Sequence, residues 1–90
     1  MHEIYLEGNR ITTKEKMAAY TREIFSLPET FGGNLDALND CLSEVTEETA
    51  ICLTQENLLE ICGNSYAYRT LLVLSQAAAE NPHLSLRIMP

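Results

Sequence analysis

An uninterrupted apolar run in the middle of the chain, Thr49-Ala50-Ile51-Cys52-Leu53, constrains the fold more than any other segment. A run of this length without alternation is typical of a strand that is covered on both faces, and such strands lie inside a sheet. Two other segments, Glu3–Glu7 and Leu84–Ile88, alternate apolar and polar residues, so we expect two half-buried strands there. The sequence therefore predicts three strands, with the apolar run at the interior of the sheet.

Two helices are predicted between the first and second strands, and two more between the second and third. Thr12 forms a capping box with Glu15 at the start of the first helix. Pro28 ends that helix, because proline pushes the preceding residue out of the helical region. Gly63-Asn64 ends the third helix and Asn81-Pro82 ends the fourth. The predicted N-caps of the four helices are, in order, Thr12, Asn34, Thr54 and Ser65.

This order of elements predicts an α/β fold. Helical crossovers between successive strands imply a parallel sheet with right-handed connections. Because the first and last strands alternate, one face of the sheet stays partly open, and all helices pack on the other face in a two-layer arrangement. Ninety residues leave room for one core, so residues 1–90 are expected to form a single domain.

The distribution of charge restricts the kind of partner. The chain has a net charge of -7, and between Glu23 and Tyr68 it has nine carboxylates but no Lys or Arg. Such a surface repels nucleic acid and anionic membranes and attracts basic proteins. The alternative is that the charge serves only solubility.

The cysteines and the apolar runs bear on the cellular compartment. Cys41, Cys52 and Cys62 have apolar neighbours, so we expect buried, reduced thiols, and their spacing matches no zinc or redox motif. No apolar run is long enough to span a membrane, and the N-terminus does not resemble a secretory signal. We therefore expect a cytoplasmic protein without a metal or cofactor.

The second predicted helix carries a row of carboxylates. Asp36, Asp40 and Glu44 recur every four residues, so they lie on nearly the same face and point outward. Each like-charged pair costs roughly 0.2–0.5 kcal/mol of helix stability. Such a cost suggests a role outside the helix, although a solvated helix face is the simpler interpretation. The opposite, buried stripe consists of Leu35, Leu38, Cys41, Leu42 and Val45.

A longer motif surrounds this row and consists of the segments Leu27-Pro28-Glu29, Phe31, Gly32, Asn34-Leu35-Asp36-Ala37-Leu38 and Asp40-Cys41-Leu42. It resembles the signature of the barstar family. Members of that family are cytoplasmic inhibitors of secreted bacterial ribonucleases of the barnase type. Their fold is a three-stranded parallel sheet with helices on one face, and the element order of this chain is similar throughout.

The resemblance implies which residues contact a partner. In the family, the motif helix and the loop before it plug the ribonuclease active site. Asp40 would make the central contact with arginine and histidine side chains of the enzyme, Asp36 would contact the rim, and Glu80 would add a further acidic contact. The chain departs from the family at Thr30 and Asn39, which replace aromatic residues, and at Gln76, which replaces an acid. The candidate partner-binding residues are Thr30, Phe31, Gly32, Gly33, Asn34, Asp36, Asn39, Asp40, Glu44, Gln76 and Glu80.

The residues and the resemblance together predict a stoichiometric inhibitor rather than an enzyme. The expected partner is a basic secreted ribonuclease or a ribonuclease-like toxin, and the chain would act as its bacterial antitoxin or immunity protein. It is expected to be a monomer when free. The first alternative is an acidic interaction module of the same fold that binds a different basic protein. A hydrolase that uses Asp36 and Asp40 as a catalytic pair is a distant third hypothesis.

Overall fold

The computed structural model describes residues 2–90, and its elements follow the predicted order. The α/β fold prediction is confirmed, since four α-helices accompany a three-stranded parallel sheet. A short 3-10 helix at Gly8–Arg10 was not predicted. The elements are β1 (His2–Tyr5), α1 (Lys14–Ile24), α2 (Leu35–Ser43), β2 (Thr49–Thr54), α3 (Gln55–Cys62), α4 (Ser65–Glu80) and β3 (Leu84–Met89).

The apolar run forms the central strand, as its composition predicts. The strand order is β1-β2-β3, and both pairs are parallel. In this register Ile4 lies beside Ile51, which lies beside Leu86. Ile51 and Leu86 belong to, or pack against, a core to which all four helices contribute. The opposite face carries exposed residues on β1 and β3, so the sheet is covered by helices on one face.

The ends of α1 differ from the prediction. Its N-cap is Thr13 rather than Thr12, because the Thr13 side chain accepts a hydrogen bond from the Lys16 N–H at 3.2 Å. The capping box with Glu15 was therefore wrong by one residue. The helix ends at Ile24, before Pro28 can act, and Ser26 follows in a left-handed conformation with φ 52°.

The caps of the other helices agree with the sequence at two of three positions. Asn34 accepts from the Ala37 N–H at 2.7 Å and Thr54 accepts from the Asn57 N–H at 3.1 Å, as predicted. The cap of α4 is Asn64, not Ser65, since the side-chain oxygen of Asn64 accepts from the Ala67 N–H at 2.8 Å. Asn64, one residue before Ser65, also has the extended backbone conformation that an N-cap requires.

The burial of the cysteines corrects another expectation. Cys52 is buried on β2, Cys41 is half-buried and Cys62 is exposed at the end of α3. The core contact of α3 comes from Ile61, and the next residue turns about 100° away from that face. All three cysteines are free thiols. Within residues 2–90, no helix combines the length and the apolar character that crossing a bilayer requires.

Candidate functional site

Phe31 anchors the loop between α1 and α2 to the hydrophobic core. The Phe31 side chain is only 5% exposed and belongs to the core. The Arg22 guanidinium lies 5.6 Å from the centre of its ring and donates a hydrogen bond to its carbonyl oxygen at 3.3 Å. Phe31 therefore anchors the loop, while its neighbour Thr30 is exposed.

The two glycines of the loop have different roles. Gly33 has a φ of 74°, and a Cβ on it would lie 3.4 Å from the Cβ of Ala18. Side chains other than glycine rarely adopt this conformation. Gly32 is exposed, and the nearest atoms to an added Cβ are 3.7 Å away. The backbone turn that delivers the chain to the Asn34 cap therefore depends on Gly33.

The acidic residues of α2 lie on its solvent side. Asp36 and Asp40 are exposed, while Leu38 and Leu42 on the opposite side are fully buried. Glu44 is exposed too, but it is the C-cap and lies one residue beyond the helix. Among the described residues, none of these three carboxylates forms an ion pair. They are available for a partner.

The negative charges of α2 also act on Cys41, a half-buried thiol of the same helix. Burial raises the pKa of the Cys41 thiol, and the carboxylates of Glu44 and Asp40 raise that pKa further. A raised pKa keeps the sulfur protonated, and a thiol is a much weaker nucleophile than a thiolate. The surroundings of this cysteine therefore favour a packing role over a catalytic one.

A cleft of about 140 Å³ lies between α2 and the end of α4. It brings together Asn39 and Glu80, two candidate residues that are far apart in the sequence. Gln76, one turn before Glu80, donates a hydrogen bond from its side chain to the Glu80 carboxylate at 3.3 Å. The cleft is lined by Asn39, Ser43, Ala77, Glu80, Asn81 and Pro82.

Asn81 is a residue of this region that the sequence did not single out. Its side-chain N–H groups donate to the carbonyl oxygens of Leu42 at 2.9 Å and Val45 at 3.0 Å. Its side-chain oxygen accepts from the His83 N–H at 2.9 Å, and the residue is 7% exposed. The sequence showed only an Asn-Pro pair that ends a helix. Nothing local indicates that the amide reaches the end of another helix.

The assembled surface is anionic. The loop 25–34, α2 and the second half of α4 contain no Lys or Arg. Within residues 2–90, no three His, Cys, Asp or Glu side chains come close enough to hold a metal ion. Carboxylates that face solvent without a cation or a catalytic neighbour are suited to bind positive charge.

The model of a protein family described as barstar (barnase inhibitor) matches residues 1–86. The chain belongs to the barstar family. A search of the curated proteins finds no significant match. Members of the barstar family are inhibitors rather than enzymes, and their fold agrees with the one described above.

The family match covers the whole of the candidate surface. The match includes the loop, α2 and α4, and so all eleven candidate residues. Ten of these residues reach the surface at least in part, and only Phe31 is buried. The structure brings Asn39 and Glu80 to one cleft, and the Asn34 cap joins the loop to α2.

Proposed function

We propose that this chain is a stoichiometric inhibitor of a barnase-like ribonuclease, and that it blocks the active site of that enzyme with α2 and the preceding loop. The observation that carries this proposal is the exposed pair Asp36 and Asp40, which have no cationic partner among the described residues. Family membership supports the proposal, because the family's members inhibit ribonucleases such as barnase.

The mechanism rests on the chemistry of a ribonuclease active site. Such a site must bind the phosphates of RNA, so it presents cationic side chains. Asp40, in the last turn of α2, would enter that site and take the place of a phosphate. Hydrogen bonds between guanidinium groups and a carboxylate are short and directional. They offset the cost of removing the carboxylate from water, which is large for an unpaired charge.

The charge distribution favours rapid and oriented capture. Four of the six Lys and Arg residues lie between positions 10 and 22, in or just before α1, whereas α2 has none. Positive charge is therefore concentrated in and near α1 and is absent from α2. A basic enzyme would be drawn toward the α2 side, and such steering raises association rates by roughly 10 to 1,000 times at low salt.

The biological role follows from fast capture. A bacterium that exports a ribonuclease toxin must neutralise any molecule that folds before export. An inhibitor with this function would act in the cytoplasm as an immunity protein. It would need no cofactor, since one folded copy would block one enzyme.

The central test is binding to the ribonuclease made by the same cell, with barnase as a second probe. Titration calorimetry should give a one-to-one complex, and RNA cleavage should stop at equimolar inhibitor. Asp40→Ala should weaken binding by about 1.5–3 kcal/mol, the typical value of hydrogen bonds to a charged group. Glu60→Ala is the matched control, because it removes one exposed carboxylate from α3.

The outcomes separate the competing functions. Equal losses for Asp40→Ala and Glu60→Ala would show that net charge, rather than the α2 site, governs binding. The chain lacks aromatic residues at Thr30 and Asn39, which favours a partner that differs from barnase in the facing region. One-to-one binding to a basic protein without ribonuclease activity would support the acidic interaction module instead.

A further inference from the structure

The acidic helix needs support at its C-terminal end. α2 has nine residues, and isolated helices shorter than about 12–15 residues are marginal in water. Its last turn contains no basic residue, while Asp40 lies in that turn and Glu44 follows as the C-cap. Negative charge at a helix C-terminus is unfavourable, because the free carbonyl groups there carry negative partial charge.

Asn81 supplies this support from another helix. It is the C-cap of α4, and its backbone N–H donates to the carbonyl oxygen of Ala77 at 2.8 Å. Its side-chain N–H groups donate to two carbonyl oxygens, that of Leu42 in the last turn of α2 and that of Val45 just after it. Its side-chain oxygen accepts from the backbone N–H of His83, just before β3. One buried amide thus joins the ends of α2 and α4 to the start of β3.

We propose that Asn81 is a positioning residue, which fixes the spacing between Asp40 on α2 and Glu80 on α4. This inference rests on the proposed function, in which both carboxylates meet one partner. Asp40 lies two residues before Leu42, whose carbonyl Asn81 holds, and Glu80 is the residue directly before Asn81. The hydrogen bonds from Asn81 to Leu42 and Val45, here called the Asn81 clamp, therefore connect the segment that carries Asp40 to the segment that carries Glu80.

Rigid spacing matters because binding is stronger when the contact groups are already in place. If the end of α2 frays in the free protein, it must become ordered on binding. The free energy that this ordering costs reduces the affinity. The same fraying would also change the width of the cleft that Asn39 and Glu80 line. Asn81 would thus improve affinity without necessarily touching the partner.

The first measurement uses the free protein and is independent of any partner. In Asn81→Ala, backbone amides at residues 42–46 should exchange with solvent faster than in the native chain, because the end of α2 opens more often. Asn57→Ala is the matched control. It removes an amide that accepts from the Gly8 N–H at 3.0 Å, in the contact between α3 and the 3-10 helix. Unchanged exchange at residues 42–46 in Asn81→Ala would overturn the clamp.

The second measurement is dissociation from the ribonuclease made by the same cell, with barnase as a second probe, under conditions in which all variants are folded. Asn81→Ala should raise the dissociation rate by about tenfold, whereas Asn57→Ala should leave it nearly unchanged. Asn81→Asp removes both N–H donors but adds a negative charge. It should dissociate faster even though a basic enzyme is attracted more strongly.

Each outcome decides the inference. If Asn81→Ala exchanges faster but dissociates no faster than Asn57→Ala, Asn81 is structural only and the positioning role is wrong. If Asn81→Ala does not fold, Asn81→Ser, which keeps a hydroxyl donor, is measured instead and should raise both rates above those of the native chain. If the native chain binds neither ribonuclease, the proposed function fails, while the exchange data still report on the clamp.

Discussion

Removing the charge of Asp40 should stabilise the free protein while it weakens binding. The substitution is Asp40→Asn, which preserves the shape of the side chain. Asparagine and aspartate have similar helix propensities, so the exchange isolates the charge. A residue whose charge destabilises its own fold is retained for another purpose, and opposite effects on stability and affinity would demonstrate this.

The magnitude follows from the surroundings of Asp40 in α2. Asp36 lies one turn before it and Glu44 one turn after it, and each like-charged pair costs roughly 0.2–0.5 kcal/mol. Its position in the last turn adds an unfavourable interaction with the helix dipole of roughly 0.3–1 kcal/mol at low salt. Together these effects amount to about 1 kcal/mol. A gain of that size raises the melting temperature of a small domain by roughly 4–8 °C.

Asp36→Asn is the matched control, because it removes the same charge from the first turn of the same helix. There the helix dipole favours the carboxylate, so the loss of that interaction offsets the relief of repulsion. We expect little change in the free energy of unfolding. Urea and thermal unfolding should be measured at low salt and in about 1 M salt, where surface electrostatics is screened.

Three results would refute this reasoning. If Asp40→Asn lowers the free energy of unfolding, the carboxylate has a stabilising contact that its exposed position does not show. If Asp36→Asn and Asp40→Asn stabilise the protein equally, the effect reflects net charge and not position in the helix. A gain for Asp40→Asn that persists unchanged in high salt would also exclude an electrostatic cause.

Two further predictions concern the frame that holds the site. Gly33→Ala should destabilise the protein by about 1 kcal/mol, because the positive φ of Gly33 disfavours any side chain. Gly32→Ala is the control and should be nearly neutral. Urea unfolding compares the two variants, and equal effects would contradict the conformational argument. Burial raises the pKa of the Tyr20 hydroxyl above its ordinary value of 10.0, so the folded state favours the neutral form and its stability falls as the pH rises above 10. Tyr20→Phe should cost about 1–2 kcal/mol at pH 7, because the Tyr5 carbonyl and the Glu7 N–H lose their partner, and the cost should shrink in urea titrations toward about pH 11. A cost that is constant with pH would exclude the titration of Tyr20, since Tyr66, whose pKa burial also raises, is present in both proteins.

The fold could be predicted from the sequence because its signals are local. The apolar run at Thr49–Leu53 marked the central strand, and the alternation of its neighbours marked the two edges. Caps at Asn34 and Thr54 were recognised because an N-cap side chain bonds a backbone N–H three residues away. The caps of α1 and α4 were wrong by one residue, since two adjacent residues in each case were able to cap.

The site was less predictable where it depends on tertiary contacts. Phe31 belongs to the motif, but the sequence did not show that its ring lies in the core. The amide of Asn81 reaches the carbonyl oxygen of Leu42 through a contact between distant segments. Helical spacing did predict that Asp36 and Asp40 would be exposed, because the opposite face of α2 was clearly apolar.

The arrangement of these supports explains how the chain tolerates a row of like charges. Before α2, the Gly33 turn and the Asn34 cap fix the start of the helix, and Arg22 holds the loop through the carbonyl of Phe31. After α2, Asn81 fixes its end. Between these points the helix spans nine residues, too few to be stable alone, so the supports at its two ends counteract the repulsion along its solvent face. A helix secured at both ends can present unpaired carboxylates in a constant geometry, as recognition of a cationic active site requires.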